Sequence, residues 1–231
     1  RAIAEAGLAV TDVSAVTGGR PVTLSGWIAA AGAPGRTPLM DLALRGNGVP
    51  LVRRSDLVLR GDVDLQLSRT DASSPVRLSG SVSGKEGLYL ANLEEMIQPG
   101  SKTPVSRPPY FSVSKDPFAG WELDVAFRGD EFLRVNTALF KGMLSADLTL
   151  EGTLQQPYLL GEIAVASGYA TFPFGRIRLS NGLVVFPLSD PYNPELSIQG
   201  TSASLGYDIE MDVTGTLDSP NIDFVTNPQL N

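Results

Sequence analysis

The sequence predicts an all-β protein built as one extended sheet, and three observations predict it. Apolar residues recur at every second position, as in Tyr207, Ile209, Met211 and Val213, which is the period of a strand with one dry face. The 24 glycines and 17 prolines are spread as punctuation between short apolar runs instead of being pooled in one linker. No amphipathic helix of useful length interrupts the pattern. A sheet with one apolar face must bury it against another layer, and without helices it must fold onto itself. Two forms satisfy that requirement: a closed sandwich filled by its own side chains, or a half-open gutter whose apolar lining needs a guest.

Taken in order, Leu8 to Val16, a turn at Gly18-Gly19 and Pro21 to Ala30 open the chain with two or three short strands. Ala31 to Pro38 is a turn-rich loop. From Leu39 the alternation puts Leu42, Leu44, Leu57, Leu59, Val63, Leu65 and Leu67 on one face, and Asp41, Asp56, Arg60, Asp62, Asp64 and Gln66 on the other. Gly46-Asn47-Gly48 reads as a turn, because no Lys-Ser, Lys-Thr or helix follows to make it a phosphate cradle. Pro75 to Leu90 supplies three more short strands broken at glycines. Asn92 to Gly120 has a different texture: Asn92 to Ile97 suits a turn of helix, and the rest is too proline-rich for central strands. Strands restart at Trp121, and Leu144 to Leu150 leads into the closing set. The expected organisation is therefore a first β segment over 1–91, an excursion over 92–120, and a C-terminal β segment over 121–231 continuous with the first. Strands of about six residues span roughly 20 Å, and about fifteen of them at ~4.8 Å spacing extend on the order of 70 Å.

Composition excludes several kinds of chemistry. Cysteine and histidine are both absent, which removes disulfides, thiolates and the commonest metal ligand and general base, so no catalytic residue, metal or cofactor is expected. The formal net charge of −7 leaves no basic surface of the size a nucleic acid needs. Carboxylates are the remaining candidates, but Asp208, Glu210 and Asp212 alternate with Ile209, Met211 and Val213 and read as the wet side of a strand. The chain begins at Arg1 without methionine and reads as a piece of something longer.

The run from Gly152 to Pro220 organises the rest. Gly-Thr-Leu-x-x-Pro occurs at Gly152 to Pro157 and again at Gly215 to Pro220. Asp64-Leu-Gln-Leu followed by Pro75, Gly80 and Gly87 also aligns with Asp147-Leu-Thr-Leu followed by Pro157, Gly161 and Gly168, at offsets of 83, 82, 81 and 81. A strand-rich repeat of this kind points to growth by stacking similar units, although a Gly- and Leu-rich chain also makes such matches by chance. Alternation across the run points Leu148, Leu150, Phe172, Phe174, Ile177, Leu179, Leu183, Val185, Leu196, Ile198, Ile209, Met211 and Val213 toward one face. For Phe172, Phe174 and Phe186 one register step reverses the facing. Pattern alone leaves that face either a sealed core or an apolar ligand path.

A family resemblance separates the two. The ordered series Gly152-Thr-Leu-x-x-Pro157, Gly161-Glu-Ile, Gly168-Tyr-x-x-Phe172, Phe174-Gly175, Leu179, Gly182-x-x-x-Phe186, Pro194-x-Leu196, Tyr207, Gly215-Thr-Leu-x-x-Pro220 and Thr226-x-Pro228-x-Leu230 resembles the C-terminal region of the TamB family, AsmA-like proteins of the translocation and assembly module. The resemblance implies an elongated, mostly antiparallel sheet rolled into an open, taco-like gutter with a hydrophobic inner groove. It also implies a periplasmic bridge between inner and outer membranes, anchored in the inner membrane outside this stretch. Its implied partners are phospholipid acyl chains, along the thirteen residues named above, and an Omp85-type outer-membrane barrel; no nucleic acid is expected. The other role the resemblance implies is a scaffold for outer-membrane protein assembly.

Overall fold

A computed structural model describes residues 7–29, 38–90, 111–173, 175–204 and 207–227. Among these there is no helix. Twelve strands form one sheet in strict chain order: β1 (Gly7–Thr17), β2 (Arg20–Ala29), β3 (Leu39–Arg53), β4 (Leu57–Arg69), β5 (Arg77–Tyr89), β6 (Glu122–Asn136), β7 (Phe140–Thr153), β8 (Pro157–Phe172), β9 (Gly175–Phe186), β10 (Glu195–Ser204), β11 (Tyr207–Thr216) and β12 (Ser219–Asn227). β1 and β12 are free edges, so the sheet is open and not a closed barrel. All neighbours pair antiparallel except β5 and β6, which run parallel.

The strands run from 9 to 16 residues, longer and fewer than the six-residue strands expected. The cause is the glycines. Gly80, Gly84 and Gly87 do not break Pro75 to Leu90 into three strands; they lie inside the single strand β5. Gly46-Asn47-Gly48 is likewise no turn: it lies within β3, where the pairing with β4 shifts between Gly46 and Val49. Gly18-Gly19, by contrast, is the β1–β2 turn. At ~4.8 Å per spacing, twelve strands extend roughly 50 Å along the curl.

The parallel pair explains the proline-rich excursion. Parallel neighbours need a crossover that carries the chain back to the strand's starting end. β6 does start beside the start of β5, where Glu122 N–H donates to Val76 O at 2.8 Å. The tail of the crossover docks on the β7–β8 turn, with Val113 N–H donating to Leu154 O at 2.8 Å and Ser112 Oγ to Gln155 O at 2.8 Å. The expected helical turn at 92–97 lies outside the described residues, as does the rest of the excursion up to 110.

Both Gly-Thr-Leu-x-x-Pro phrases are hairpin turns of one design. Gly152 faces Pro157 and Gly215 faces Pro220, and both glycines have positive φ, +91° and +97°. In each turn the leucine N–H donates across to the residue just before the strand on the far side of the hairpin's first strand: Leu154 to Trp121 O, before β6, and Leu217 to Pro194 O, before β10, both at 2.9 Å. The internal repeat is also physical. β3 and β6 share a length of 15 residues. Arg45 pairs with Asp64 at 3.1 Å, and the residues 83 positions on, Arg128 and Asp147, pair at 3.2 Å. Gly80 lies against Asp64 O as Gly161 lies against Asp147 O.

Candidate functional site

Register assigns a face to each strand residue, because directly opposed residues point the same way. Starting from Ile209, Met211 and Val213 on β11, the pairs run to Ile222 and Phe224 on β12, and to Leu196 and Ile198 on β10. They continue to Ile177, Leu179, Gly182 and Val184 on β9, Ile163, Val165 and Phe172 on β8, and Leu144, Ala146, Leu148 and Leu150 on β7. Beyond these stand Leu123, Val125 and Phe127 on β6, Leu78 and Val82 on β5, and Leu57 to Leu67 at every second place on β4. Leu42 and Leu44 on β3 and Leu24 and Ile28 on β2 complete the face.

Among the described residues, the only charged ones whose register falls on this face are Arg20 and Arg69, the first residue of β2 and the last of β4. Arg69 turns its guanidinium to Ala72 O and Ser74 O in the following turn. The opposite face carries the ion pairs Arg45–Asp64, Arg77–Asp124, Arg128–Asp147 and Lys85–Asp62, all solvent-exposed to some degree. Solvent screens such exposed pairs, so they mark the wet side more than they hold the fold. Gly48 N–H, bonded at 2.8 Å, holds the Asp62 carboxyl below its usual range, with Lys85 adding to the effect. Burial, then the neighbouring Glu151 carboxylate, pushes the Tyr158 phenol up.

The apolar face is concave. Among the described residues no second layer covers it, yet Ile177 is 0% exposed and Met211 4%. Only the sheet's own curl can do this, and one contact shows it directly: the Phe172 and Phe224 rings lie 5.5 Å apart, edge to face. They belong to β8 and β12, four spacings apart, or ~19 Å in a flat sheet. A second cluster packs Phe132, Ala146 and Leu148 against Leu59, Phe127, Ile163 and Phe186.

Glycines on this face make the curl possible. A Cβ on Gly161, whose φ is +111°, would stand 2.2 Å from Asp147 O, so only glycine admits that approach. Elsewhere they are sockets for larger neighbours: Phe132 fills the space over Gly84, and Ile177 that over Gly200. The face is tightest around Ile177 and loosest at the other end, where Leu8 is 70% and Val13 53% exposed.

Of the thirteen residues expected on one face, Leu148, Leu150, Phe172, Ile177, Leu179, Leu196, Ile198, Ile209, Met211 and Val213 share it. Phe174 lies outside the described residues. Leu183 and Val185 are a correction. They oppose Ser197 and Glu195 and point to the wet side, because the β9–β10 pairing shifts between Gln199 and Gly200 and reverses the parity of β9 beyond Ser180. Gly182 and Val184 take their place. Phe186, which the alternation left undecided, faces inward opposite Gly161. The β1–β5 half of the face was also omitted from the expected lining, although the alternation of Leu57 to Leu67 had already announced it.

Residues 11–231 match the TamB C-terminal domain. No curated protein matches the chain. With the match extending over nearly all of its length, the chain belongs to the TamB C-terminal domain family, a non-enzymatic family of the cell envelope.

Proposed function

We propose that this chain is a segment of a periplasmic bridge that conducts phospholipid between inner and outer membranes along its apolar concave face. The carrying observation is the segregation of charge: among the described residues from β2 to β12 the concave face holds mostly aliphatic and aromatic side chains and glycine, with hydroxyls such as Ser202 and Thr226 near its far end and charge only at Arg20 and Arg69, at two strand ends. Acyl chains are solvated there in place of water, at about 0.8 kcal/mol per buried methylene. Head groups stay at the open rim, since burying a charged phosphate in the groove is costly. Acyl chains offer no hydrogen-bonding groups, so the concave face solvates them without gripping and they slide along it. An inner-membrane anchor and an Omp85-type barrel partner belong to this reading.

A charged residue in the path tests it. Leu179→Asp, at a half-buried position, is expected to reduce lipid transfer at least tenfold in cells carrying the full-length protein, while the isolated chain keeps its β-rich circular dichroism. Transfer at the wild-type rate in a folded Leu179→Asp protein would rule out this path.

One observation favours a second reading, a scaffold that lends a strand to outer-membrane proteins. The free edge β12 carries Ile222, Phe224 and Val225 at 49, 42 and 60% exposure, the kind of edge that accepts another strand. Prolines placed in turn at Ile222 and Asp223 test it, since successive N–H groups alternate and one of the two points outward. Loss of barrel assembly with either variant supports the scaffold; normal assembly with both removes it.

A further inference from the structure

The convex side holds one feature that the conduit does not use. Asn136, Lys141, Tyr169, Arg178 and Thr201 stand in one row across β6 to β10, each opposite the next. Arg134 lies two residues from Asn136 on β6, opposite Met143. Arg134, Lys141, Tyr169 and Arg178 line a concavity of about 750 Å³ whose wall contains no aspartate or glutamate. The Arg176 guanidinium lies 5.0 Å from the centre of the Tyr169 ring and adds a fourth cation.

These four side chains are exposed, and among the described residues none of them forms an ion pair. Arg45, Arg54, Arg77, Lys85 and Arg128 have carboxylate partners; Arg20, Arg53 and Arg60 have none among the described residues, but they are not gathered around this concavity. In a chain of net charge −7, four cations gathered around a wall without carboxylates attract an anion, the nearest acidic groups being Glu86 and Glu131 in the adjoining hollow on the Arg134 side and Glu210 beyond Thr201 in the row. Paired guanidiniums with an ammonium suit a phosphate, which accepts from several donors at once.

Position names the source of that phosphate. Arg134 is near the end of β6, Lys141 at the start of β7, Tyr169 near the end of β8, and Arg176 and Arg178 at the start of β9, so the patch runs along one rim of the gutter. On the inner side of the same rim stand Val135, Phe140, Ala170, Phe172 and Ile177. The opposite rim of β6 and β7 carries Glu122 and Glu151. We propose that this rim is a phosphate-binding lip, taking the phosphate of a phospholipid headgroup whose acyl chains lie on the concave side. The proposal rests on the conduit reading for its lipid source, but not for its phosphate chemistry.

The test compares the chain with Arg134→Gln/Arg178→Gln and, as a control on the other rim, Glu122→Gln/Glu151→Gln. Each is mixed with vesicles of phosphatidylcholine alone, with vesicles also containing phosphatidylglycerol, and with inorganic phosphate. All substitutions are at exposed or half-exposed positions, and circular dichroism reports whether the sheet persists. The lip predicts binding to the phosphatidylglycerol vesicles that falls about fivefold per arginine removed, or ~25-fold for the pair, with no fall in the control. Inorganic phosphate bound through the arginines without any vesicle binding keeps the anion site and overturns its lipid source. Undiminished vesicle and phosphate binding by the arginine variant overturns the site altogether. An intact lip alongside a groove that captures no acyl chain condemns the conduit and spares the phosphate site.

Discussion

Replacing Gly161 with alanine is expected to destabilise the sheet by about 3–5 kcal/mol, while Gly19→Ala costs only about 1–2 kcal/mol. Both glycines have positive φ, +111° and +80°, so both substitutions pay backbone strain. They differ in what the new methyl meets. At Gly19 nothing lies within 4 Å, whereas at Gly161 the Cβ would stand 2.2 Å from Asp147 O and 3.1 Å from Leu148 Cα. The excess cost at Gly161 therefore measures the close strand approach that curls the sheet. Urea unfolding of the three proteins reads it directly, and equal losses at the two sites would mean that the approach contributes nothing.

Ile177→Asp is expected to be the most damaging side-chain change, costing at least about 4–5 kcal/mol or abolishing folding of the C-terminal strands. Ile177 is 0% exposed, sits in the socket over Gly200, and packs with Met211, Val213, Phe172, Leu179 and Ile198. An aspartate there has no cation within the cluster to pair with and must be buried neutral or break the curl. Leu183→Asp, six residues on in the same strand but on the wet face, is expected to cost about 1 kcal/mol. Thermal unfolding of the pair separates the faces of β9. Similar losses at both positions would contradict the assignment of a dry and a wet side.

The fold class and much of the dry face could be read from alternation because most strands run long stretches without a shift. β11 pairs from Asp208 to Thr216 with no irregularity, so Ile209, Met211 and Val213 stayed on one side as expected. In β9 one shift near Gly200 reverses the parity of Leu183 and Val185, and the Ser180-Asn181-Gly182 step, an Asn-Gly pair inside a strand pattern, is the signal that marks such a bulge. Strand lengths misled for a related reason. Glycine reads as a strand breaker in the sequence, but in a sheet that curls onto one face it is what lets strands continue, as Gly80, Gly84 and Gly87 do through β5. The same error undercounts what the Asp64/Gly80 and Asp147/Gly161 repeat encodes: it is a strand contact, glycine against the aspartate carbonyl, with Arg45 and Arg128 on the outer side. The proline-rich excursion stood out in the sequence, yet its reason is topological. Parallel pairing of β5 with β6 leaves no local mark on either strand.

Two adjacent residues test the central claim most directly. Val184 faces Ile163 on the concave side and Leu183 faces Ala164 on the convex side, so they share depth, strand and chain environment and differ only in face. A photoreactive amino acid is placed at one or the other in the full-length protein, and living cells are irradiated. The account predicts phospholipid adducts at Val184 and few or none at Leu183. Lipid captured equally at both positions, or at neither, would contradict it.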